Sequence, residues 1–378
     1  MKILFFTGSR GEWGYIRPIL ELCKKKKLNY EICVSNTHLL DSFGYTIKEI
    51  EKDGFKVKHK IFMTLDGYND FTTSKSMGVF IQSFTDVLFN AKPDWLLLAG
   101  DRGETFAASI ASSYSNIPTA HIQAGELSGN IDGLARHAIG KMCHVHFASN
   151  QDAFKRLIRL GEQKKRIFKV GATQLDDIYN KKYKNKNDTL NYFNLNNNKD
   201  IVISIFHPVT DDQKNNIINI RNTIEVLNSL NAQVVWIMPN SDSGSEIIRN
   251  LVLEKRNSNI SIFRNINRQY FLGLMNISNF IIGNSSAGLL EAPSFKLPAI
   301  NIGKRQHQRV RGKNVFDLEK LNKKRLRSCI NKIKKLNKNY FKNMKNPYGE
   351  GDSSIKILNV LSKMKNSDFI LKKNLNLK

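Results

Sequence analysis

The stretch from Trp95 to Lys141 constrains the fold more than any other. An apolar run, Trp95-Leu96-Leu97-Leu98-Ala99, breaks at Gly100-Asp101-Arg102-Gly103-Glu104, and a helical pattern (Phe106, Ala107, Ile110, Ala111) follows. A second apolar segment, Ile117 to Ile122, ends in Gln123-Ala124-Gly125-Glu126, and a Gly129-Asn130 turn leads into Asp132-Gly133-Leu134-Ala135-Arg136-His137. Strand, polar loop, helix, strand, polar loop, helix is a βαβ pattern, with parallel strands and both polar loops at their carboxyl ends. In an open α/β sheet that edge is where ligands bind. Asp101, Arg102, Glu126, Asp132, Arg136 and His137 therefore gather at one rim, as active-site residues do.

The same alternation runs through the rest of the chain. Strands are expected at Ile3–Phe6, Tyr30–Val34, Val145–Ala148 and Ile167–Val170, with a helix signalled by Ile16, Ile19, Leu20 and Cys23 and Pro18 in its first turn. Residues 63–76 are polar and the helix after them is expected over Met77–Ala91. Ser149-Asn150-Gln151-Asp152 starts another helix, which runs to Leu160-Gly161 with the glycine as its cap. The pattern restarts after Asp200, with strands at Ile201–Phe206, Val234–Met238, Ile260–Phe263, Phe280–Ile282 and, last of the clear ones, Ala299–Ile302. Two similar α/β halves suggest a ligand held in the cleft between them. The boundaries read as a first Rossmann-like domain over residues 1–178, a Lys- and Asn-rich linker over 179–199, a second domain over 200–350, and a C-terminal helix with a basic tail over 351–378.

Composition narrows the partners. The 378 residues, 41% of them hydrophobic, suffice for a core in each half. Four cysteines lie scattered, without CxxC or Cys/His spacing, so the expected compartment is reducing and no structural zinc is read. The apolar start, Ile3 to Phe6, stops at Thr7-Gly8-Ser9-Arg10, too soon for a signal peptide, and no run reaches the ~20 residues of a spanning helix. A cytoplasmic protein without membrane insertion is expected. The net charge of +26 raises nucleic acid as a partner, but the lysine clusters lack interleaved aromatics and no nucleic-acid motif is present. The charge reads as solvated surface that could also attract a phosphorylated substrate.

Several loops carry candidate chemistry. Gly8, Gly11 and Gly14 give GxxGxxG rather than the dinucleotide fingerprint, and the second strand ends in Ser35-Asn36-Thr37 without the expected acid. That turn suits approach of phosphate or sugar, with Arg10 as a clamp or as a plain surface residue. His144-x-His146 has no third ligand in view and reads as structural. In the second half, Gly283-Asn284-Ser285-Ser286-Ala287-Gly288 ends a strand and opens a helix, presenting N–H groups and two hydroxyls to an anion. Glu291 further on suits a ribose diol, or simply the helix dipole. Arg305, Arg309 and Arg311 offer phosphate donors, and Pro208 holds His207 extended at its strand end.

Taken together these residues resemble the hydrolysing UDP-N-acetylglucosamine 2-epimerases, and most the branch serving sialic and legionaminic acid synthesis. The resemblance rests on Ser9-Arg10, Gly100 to Glu104, His121 to Glu126, Gly129 to Asp132 with Arg136 to Ile139, His207 to Thr210, Gly283 to Gly288 with Glu291, and Gly303 to Gln306, in order over about residues 1–315. It implies two Rossmann-like domains in a GT-B arrangement, a nucleotide-sugar substrate in the interdomain cleft, a homo-oligomer (dimer or tetramer), no metal and no tightly bound NAD. It assigns Asp101, Glu126 and Asp132 as catalytic carboxylates with His207 assisting. It gives Arg10, Arg102, Ser285, Ser286 and Arg305 to diphosphate and uridine, Glu291 to ribose, and Arg136, His137 and Asn240 to the substrate pocket. Gly133 stands where sialic-acid members carry a second acid, and Gln123-Ala124 replaces a glycine; both bear on the sugar.

The reaction so implied converts UDP-GlcNAc to ManNAc plus UDP. The C2 proton of a 2-acetamido sugar is not acidic, so the C1–O bond must stretch first while the arginines and serines take up charge on the departing UDP. One carboxylate removes the C2 proton to give a 2-acetamidoglucal, and an acid/base pair then adds water with C2 inverted. Asp132 could instead be an N-cap. The same chemistry on UDP- or GDP-N,N'-diacetylbacillosamine is the alternative, and a GT-B glycosyltransferase is a second one, with three carboxylates counting against it.

Overall fold

The computed structural model describes residues 1–66, 69–127, 131–209, 212–239, 244–264, 266–336, 338–364 and 370–376; the side chains of Ile131, Asp132, Lys338 and Asn339 are outside this description. The chain forms two compact units, one of Met1–Asp176 with Tyr348–Lys378, the other of Asp177–Pro347.

In the first unit seven parallel strands alternate with helices: β1 Lys2–Thr7, α1 Arg10–Lys25, β2 Asn29–Ser35, α2 Ile47–Lys52, β3 His59–Ile61, α3 Asp70–Ala91, β4 Trp95–Ala99, α4 Gly103–Tyr114, β5 Thr119–Ile122, α5 Ile131–Met142, β6 Val145–Ala148, α6 Gln151–Arg159 and β7 Ile167–Lys169. The sheet order is β3-β2-β1-β4-β5-β6-β7. Order reverses between β1 and β4, so their carboxyl-end loops flank the switch point where doubly wound sheets bind ligands. Helices cover both faces, which is why β4 is buried at every position and reads as a continuous apolar run. On one face Phe80 and Phe84 stack with centroids 5.1 Å apart, and Phe6 packs tilted against them at 5.0 and 5.6 Å. Beside them Ala107, Ala108 and Ala111 let α4 lie close to α3. Each buried Phe contributes about 1.5–3 kcal/mol.

The one-turn helix α7, Asp176–Tyr179, leads into the second unit. There α8 Lys186–Phe193 precedes β8 Asp200–Ile205, α9 Gln213–Asn228, β9 Ala232–Ile237, α10 Ser245–Lys255, β10 Ile260–Phe263, α11 Arg268–Ile277, β11 Phe280–Gly283, α12 Ala287–Leu290, β12 Ala299–Ile302, β13 Val315–Leu318 and α13 Lys323–Lys335. The order β10-β9-β8-β11-β12-β13 repeats the first unit's winding, all parallel. The chain then re-enters the first unit through α14, Ser353–Met364. Asp176 accepts the Ser353 and Ser354 N–H groups that start α14, at 3.0 and 2.8 Å, and buried Trp95 donates its indole N–H to Leu361 O at 3.1 Å.

Several expectations change. The helix before β4 starts at Asp70 rather than Met77, because Asn69 and Thr72 form a capping box there. Pro18 lies well inside α1, which opens at Arg10 with Ser9 as its cap. Residues 186–193, in the Lys- and Asn-rich stretch, are helical, and Ala299–Ile302 is followed by a further strand, β13. α5 starts at Ile131, so Asp132 sits in its first turn rather than at the cap.

Candidate active site

At the switch point of the first unit the turn after β1 is held from every side. Glu12 Oε2 accepts N–H from Gly8 at 2.5 Å and Ser9 at 3.1 Å, and the Ser9 hydroxyl accepts the Glu12 N–H. Thr37 donates to Gly8 O at 2.7 Å, and Thr7, itself bonded to His38, donates to Ser9 O at 3.1 Å. The turn is therefore rigid, while Arg10 projects half-exposed, with Glu49 3.8 Å away.

The β4 and β5 loops bring the acids together. Asp101 pairs with Arg136 of α5, whose guanidinium also donates to Gln123 O at 2.9 Å. Arg136 is 3% exposed; burial opposes its charge, but Asp101 and Glu126 outweigh burial and raise its pKa. Asp101, Arg136 and Glu126 thus form one electrostatic group contributed by two adjacent strand ends and a helix. Gly125 makes this possible: at φ +76 an added Cβ would lie 2.6 Å from Ala153 O. Gln123 holds a left-handed φ of 59° with a side chain, bonded to Gln174 at 3.3 Å.

Glu126 is 6% exposed, and its Oε1 accepts from the Ser149 hydroxyl and from Asn150 Nδ2 at 2.5 Å. In the sequence those two residues read only as a helix start. The signal that they also serve the site is their position at the carboxyl end of β6, next to β5. His121, from within β5, is pushed down to about 3 by burial, so its neutral ring donates to Gly100 O at 2.7 Å and fixes the Asp101 loop. His137 is half-buried, and burial followed by Arg136 lowers its pKa. Arg102 donates Nε to Glu104 at 2.9 Å and keeps its side chain 42% exposed. The Asp132 side chain and Asn240 lie outside the described residues. His146 bonds Glu162 at 2.9 Å and His144 accepts from Thr119 N at 3.1 Å.

In the second unit the β8 and β11 loops meet. Gly283, at φ +140, would place a Cβ 1.9 Å from Ile205 O, so only glycine lets the two strand ends lie this close. Asn284 is the hub: its side chain accepts the His207 N–H at 2.7 Å and donates to His207 O at 2.9 Å, while its carbonyl accepts from Arg305 at 3.2 Å and Gln306 at 3.0 Å. His207 Nδ1 is buried with no hydrogen-bond partner among the described residues, and burial, with Arg305 second, drives the ring down to about 3. The helix expected after the Gly/Ser turn is a single turn of four residues, α12, followed by a 3-10 turn containing Pro293. Its dipole is correspondingly small, and Ser285 and Ser286 at its start are both half-buried. Glu291 is buried with its carboxyl raised by burial and held down by Arg268 at 3.5 Å; Arg268 also pairs with Asp177 at 3.1 Å. Arg268 escaped notice in the sequence although it follows the end of β10. Arg311 is committed to Asp317 at 2.6 Å, and Arg309 bonds Gln306 at 3.1 Å.

Two doubly wound units with polar carboxyl-edge loops, one acidic and one rich in serine, asparagine and arginine, define a two-domain α/β enzyme with a GT-B-like fold. The fold matches the crystal structure of UDP-GlcNAc 2-epimerase from Neisseria meningitidis bound to UDP-GlcNAc, with TM-score 0.81 and 23% identity over 96% of this chain and 100% of that one. Residues 20–362 match the family model described as UDP-N-acetylglucosamine 2-epimerase, and the chain belongs to that family. It is 35% identical to the hydrolysing UDP-N,N'-diacetylbacillosamine 2-epimerase of Legionella pneumophila, over 84% of this chain and 85% of the relative. It is 36% identical to the hydrolysing GDP/UDP-N,N'-diacetylbacillosamine 2-epimerase of Campylobacter jejuni, over 84% of each. It is 30% identical to the UDP-N-acetylglucosamine 2-epimerase of Neisseria meningitidis serogroup B, over 83% of each. The family is one of enzymes. No helix among the described residues is long and apolar enough to cross a membrane.

Proposed function

We propose that the protein releases UDP from a UDP-linked 2-acetamido sugar and delivers the free sugar with C2 inverted, UDP-GlcNAc giving ManNAc. The observation that carries this reading is the convergence of Asp101 and Glu126, from neighbouring strand ends, on buried Arg136. Two carboxylates on neighbouring strand ends place one group to remove the C2 proton and another to return a proton, as the reaction requires. Asp132, whose side chain lies outside the described residues, is the third catalytic carboxylate by the family resemblance. Arg136 orients Asp101, and His137 lines the sugar side. Arg10, Arg102, Arg305, Ser285 and Ser286 take up charge on the departing diphosphate. His207, neutral when the site is empty, gains basicity when a diphosphate arrives near its free Nδ1. Glu291 binds the ribose diol after exchanging Arg268 for it, and Asn240, outside the described residues, is assigned to the substrate by the family resemblance alone. The products leave with atoms balanced: water supplies the C1 hydroxyl and solvent supplies the new C2 proton.

A second substrate, UDP-N,N'-diacetylbacillosamine, is favoured by the 35% and 36% identities to relatives named for it. The Gln123-Ala124 turn and Gly133 are the places where such a sugar would be told from UDP-GlcNAc. Measuring UDP release from each at equal concentration tests the assignment: a kcat/KM at least ~100-fold higher for one names it, the ratio a site achieves when it binds a group its competitor lacks. Release of UDP from neither would overturn the reading. The reading also carries cytoplasmic location and a homo-oligomer, consistent with solvent-facing Phe71 and Phe89 on α3, and light scattering reports the latter.

A further inference from the structure

Two buried carboxylates to which the reaction gives no part converge on Gly8 at the end of β1. Glu12 accepts the Gly8 N–H at 2.5 Å. Glu104 reaches the same residue from α4, close enough that a Cβ on Gly8 would lie 2.4 Å from its Oε1. They are 3% and 4% exposed. Two like charges this close and out of water do not both ionise near neutrality, so the pair holds a proton. The hydrogen bonds locate it. Glu12 Oε2 already accepts two N–H groups, from Gly8 and Ser9. Glu104 Oε1 accepts Arg102 Nε at 2.9 Å as the anionic half of an ion pair. Glu12 Oε1 faces the Thr105 hydroxyl at 2.7 Å, and a hydroxyl accepts as readily as it donates. The proton belongs on Glu12 Oε1, directed at Thr105.

We propose that Glu12 and Glu104 form a one-proton positioning pair, in which neutral Glu12 braces the Gly8–Arg10 turn and leaves Glu104 to aim Arg102. This rests on the reading of Arg10 and Arg102 as the diphosphate grip; neither carboxylate touches substrate. Burial first, and Glu104 second, bring Glu12 up to about 8, against Arg102, Thr105 and Gly8. The other groups near the pair are His38, brought down to about 4 by burial and acted on by both Glu104 and Arg10, and Tyr15, which shares the surroundings of Gly100 with Glu12. Loss of the proton to hydroxide places a second negative charge beside Glu104. Arg102 is then drawn in from the solvent edge to neutralise both, away from the diphosphate.

The test is the pH profile of kcat/KM for the sugar nucleotide that is turned over, on the full chain, with UDP affinity measured alongside. Wild type should lose kcat/KM about tenfold per pH unit above about 8, through KM rather than kcat, and UDP affinity should fall in step. Glu12→Gln puts an amide N–H where the proton sits, so the limb near 8 should vanish. Thr105→Val removes a donor to the ionised form, and its limb should move to higher pH, which keeps the test standing if Glu12→Gln does not fold. A limb unchanged in both variants overturns the pair. UDP binding with no step near pH 8 in wild type overturns the pair alone. Absence of UDP binding at any pH overturns the diphosphate reading and the pair with it.

Discussion

Replacing Lys373 with methionine tests whether the returning C-terminal segment holds the helix that carries Arg136. Lys373 Nζ sits at the C-terminus of α5, donating to the carbonyls of Gly140, Lys141 and Cys143 at 2.7, 3.0 and 2.6 Å and pairing with Glu162 at 2.9 Å. Burial pulls this ammonium below its ordinary value, yet all four groups bonded to Nζ are acceptors, so the site holds the charged amine. Burial raises the Glu162 carboxyl; the N–H given by His146 and the charge of Lys373 more than offset this and hold it at about 2. Burial also lowers His146, which therefore acts as a neutral donor, and the cations are Lys373 and the half-exposed Lys141. A carboxyl moved from 4.5 to about 2 corresponds to at most about 3 kcal/mol at pH 7. A cation at a helix C-terminus adds up to about 2 kcal/mol, and Lys141 retains part of the pairing. A loss of about 2–3 kcal/mol follows, or roughly 4–12 °C in the melting temperature of the first unit. The folded carboxyl lies below its unfolded value, so this stability is present above pH 4.5 and fades as pH falls toward 2. The difference between wild type and Lys373→Met should therefore be full at pH 7 and shrink through pH 4. Melting curves of wild type, Lys373→Met, Glu162→Gln and the double variant give the coupling directly. Melting temperatures within 1 °C of wild type, or strictly additive losses, would refute the reasoning.

Two further outcomes are specific. Ser149→Ala, and separately Asn150→Ala, leave buried Glu126 short of a donor; each should cost about 1–3 kcal/mol of transition-state stabilisation, read as a 5- to 150-fold fall in kcat with the fold intact by circular dichroism. His121 and His207 are pushed by burial to about 3, and His38 and His144 to about 4, all below their unfolded values. They contribute stability above pH 6.5 that is lost as pH falls toward 4, so the urea midpoint should drop between pH 6.5 and 5 while imidazole NMR shows the four rings still neutral. A ring titrating near 6.5 would contradict that.

The fold was largely legible because doubly wound sheets write their parallel strands as mostly apolar runs: Trp95–Ala99, Val145–Ala148, Ile260–Phe263 and Ala299–Ile302 match the observed strands end to end, though His146, Ser261 and Asn301 interrupt three of them. The strands not anticipated, His59–Ile61 and Val315–Leu318, are both edge strands, where one side is uncovered and polar residues such as Lys60 and Asp317 interrupt the pattern. The return of α14 to the first unit hangs on Asp176 and Trp95, contacts made across long stretches of chain that no local pattern encodes. Within the site, polar residues at strand ends were visible as such. Their pairings were not: Arg136 reads as a substrate ligand until Asp101 and Gln123 O are seen to occupy it. Glu12 and Glu104 drew no reading of their own from the sequence, because only the tertiary structure buries both against one glycine.

The most direct test of the central claim is to incubate the protein with UDP-GlcNAc in deuterated water and follow the sugar protons by NMR. Elimination and rehydration predict UDP release together with ManNAc carrying deuterium at C2; the diacetamido sugar nucleotide, if it is the substrate, gives its own C2-inverted, C2-deuterated product. Release of a free sugar that keeps its original C2 configuration and its protium, or no consumption of either sugar nucleotide, would contradict the account.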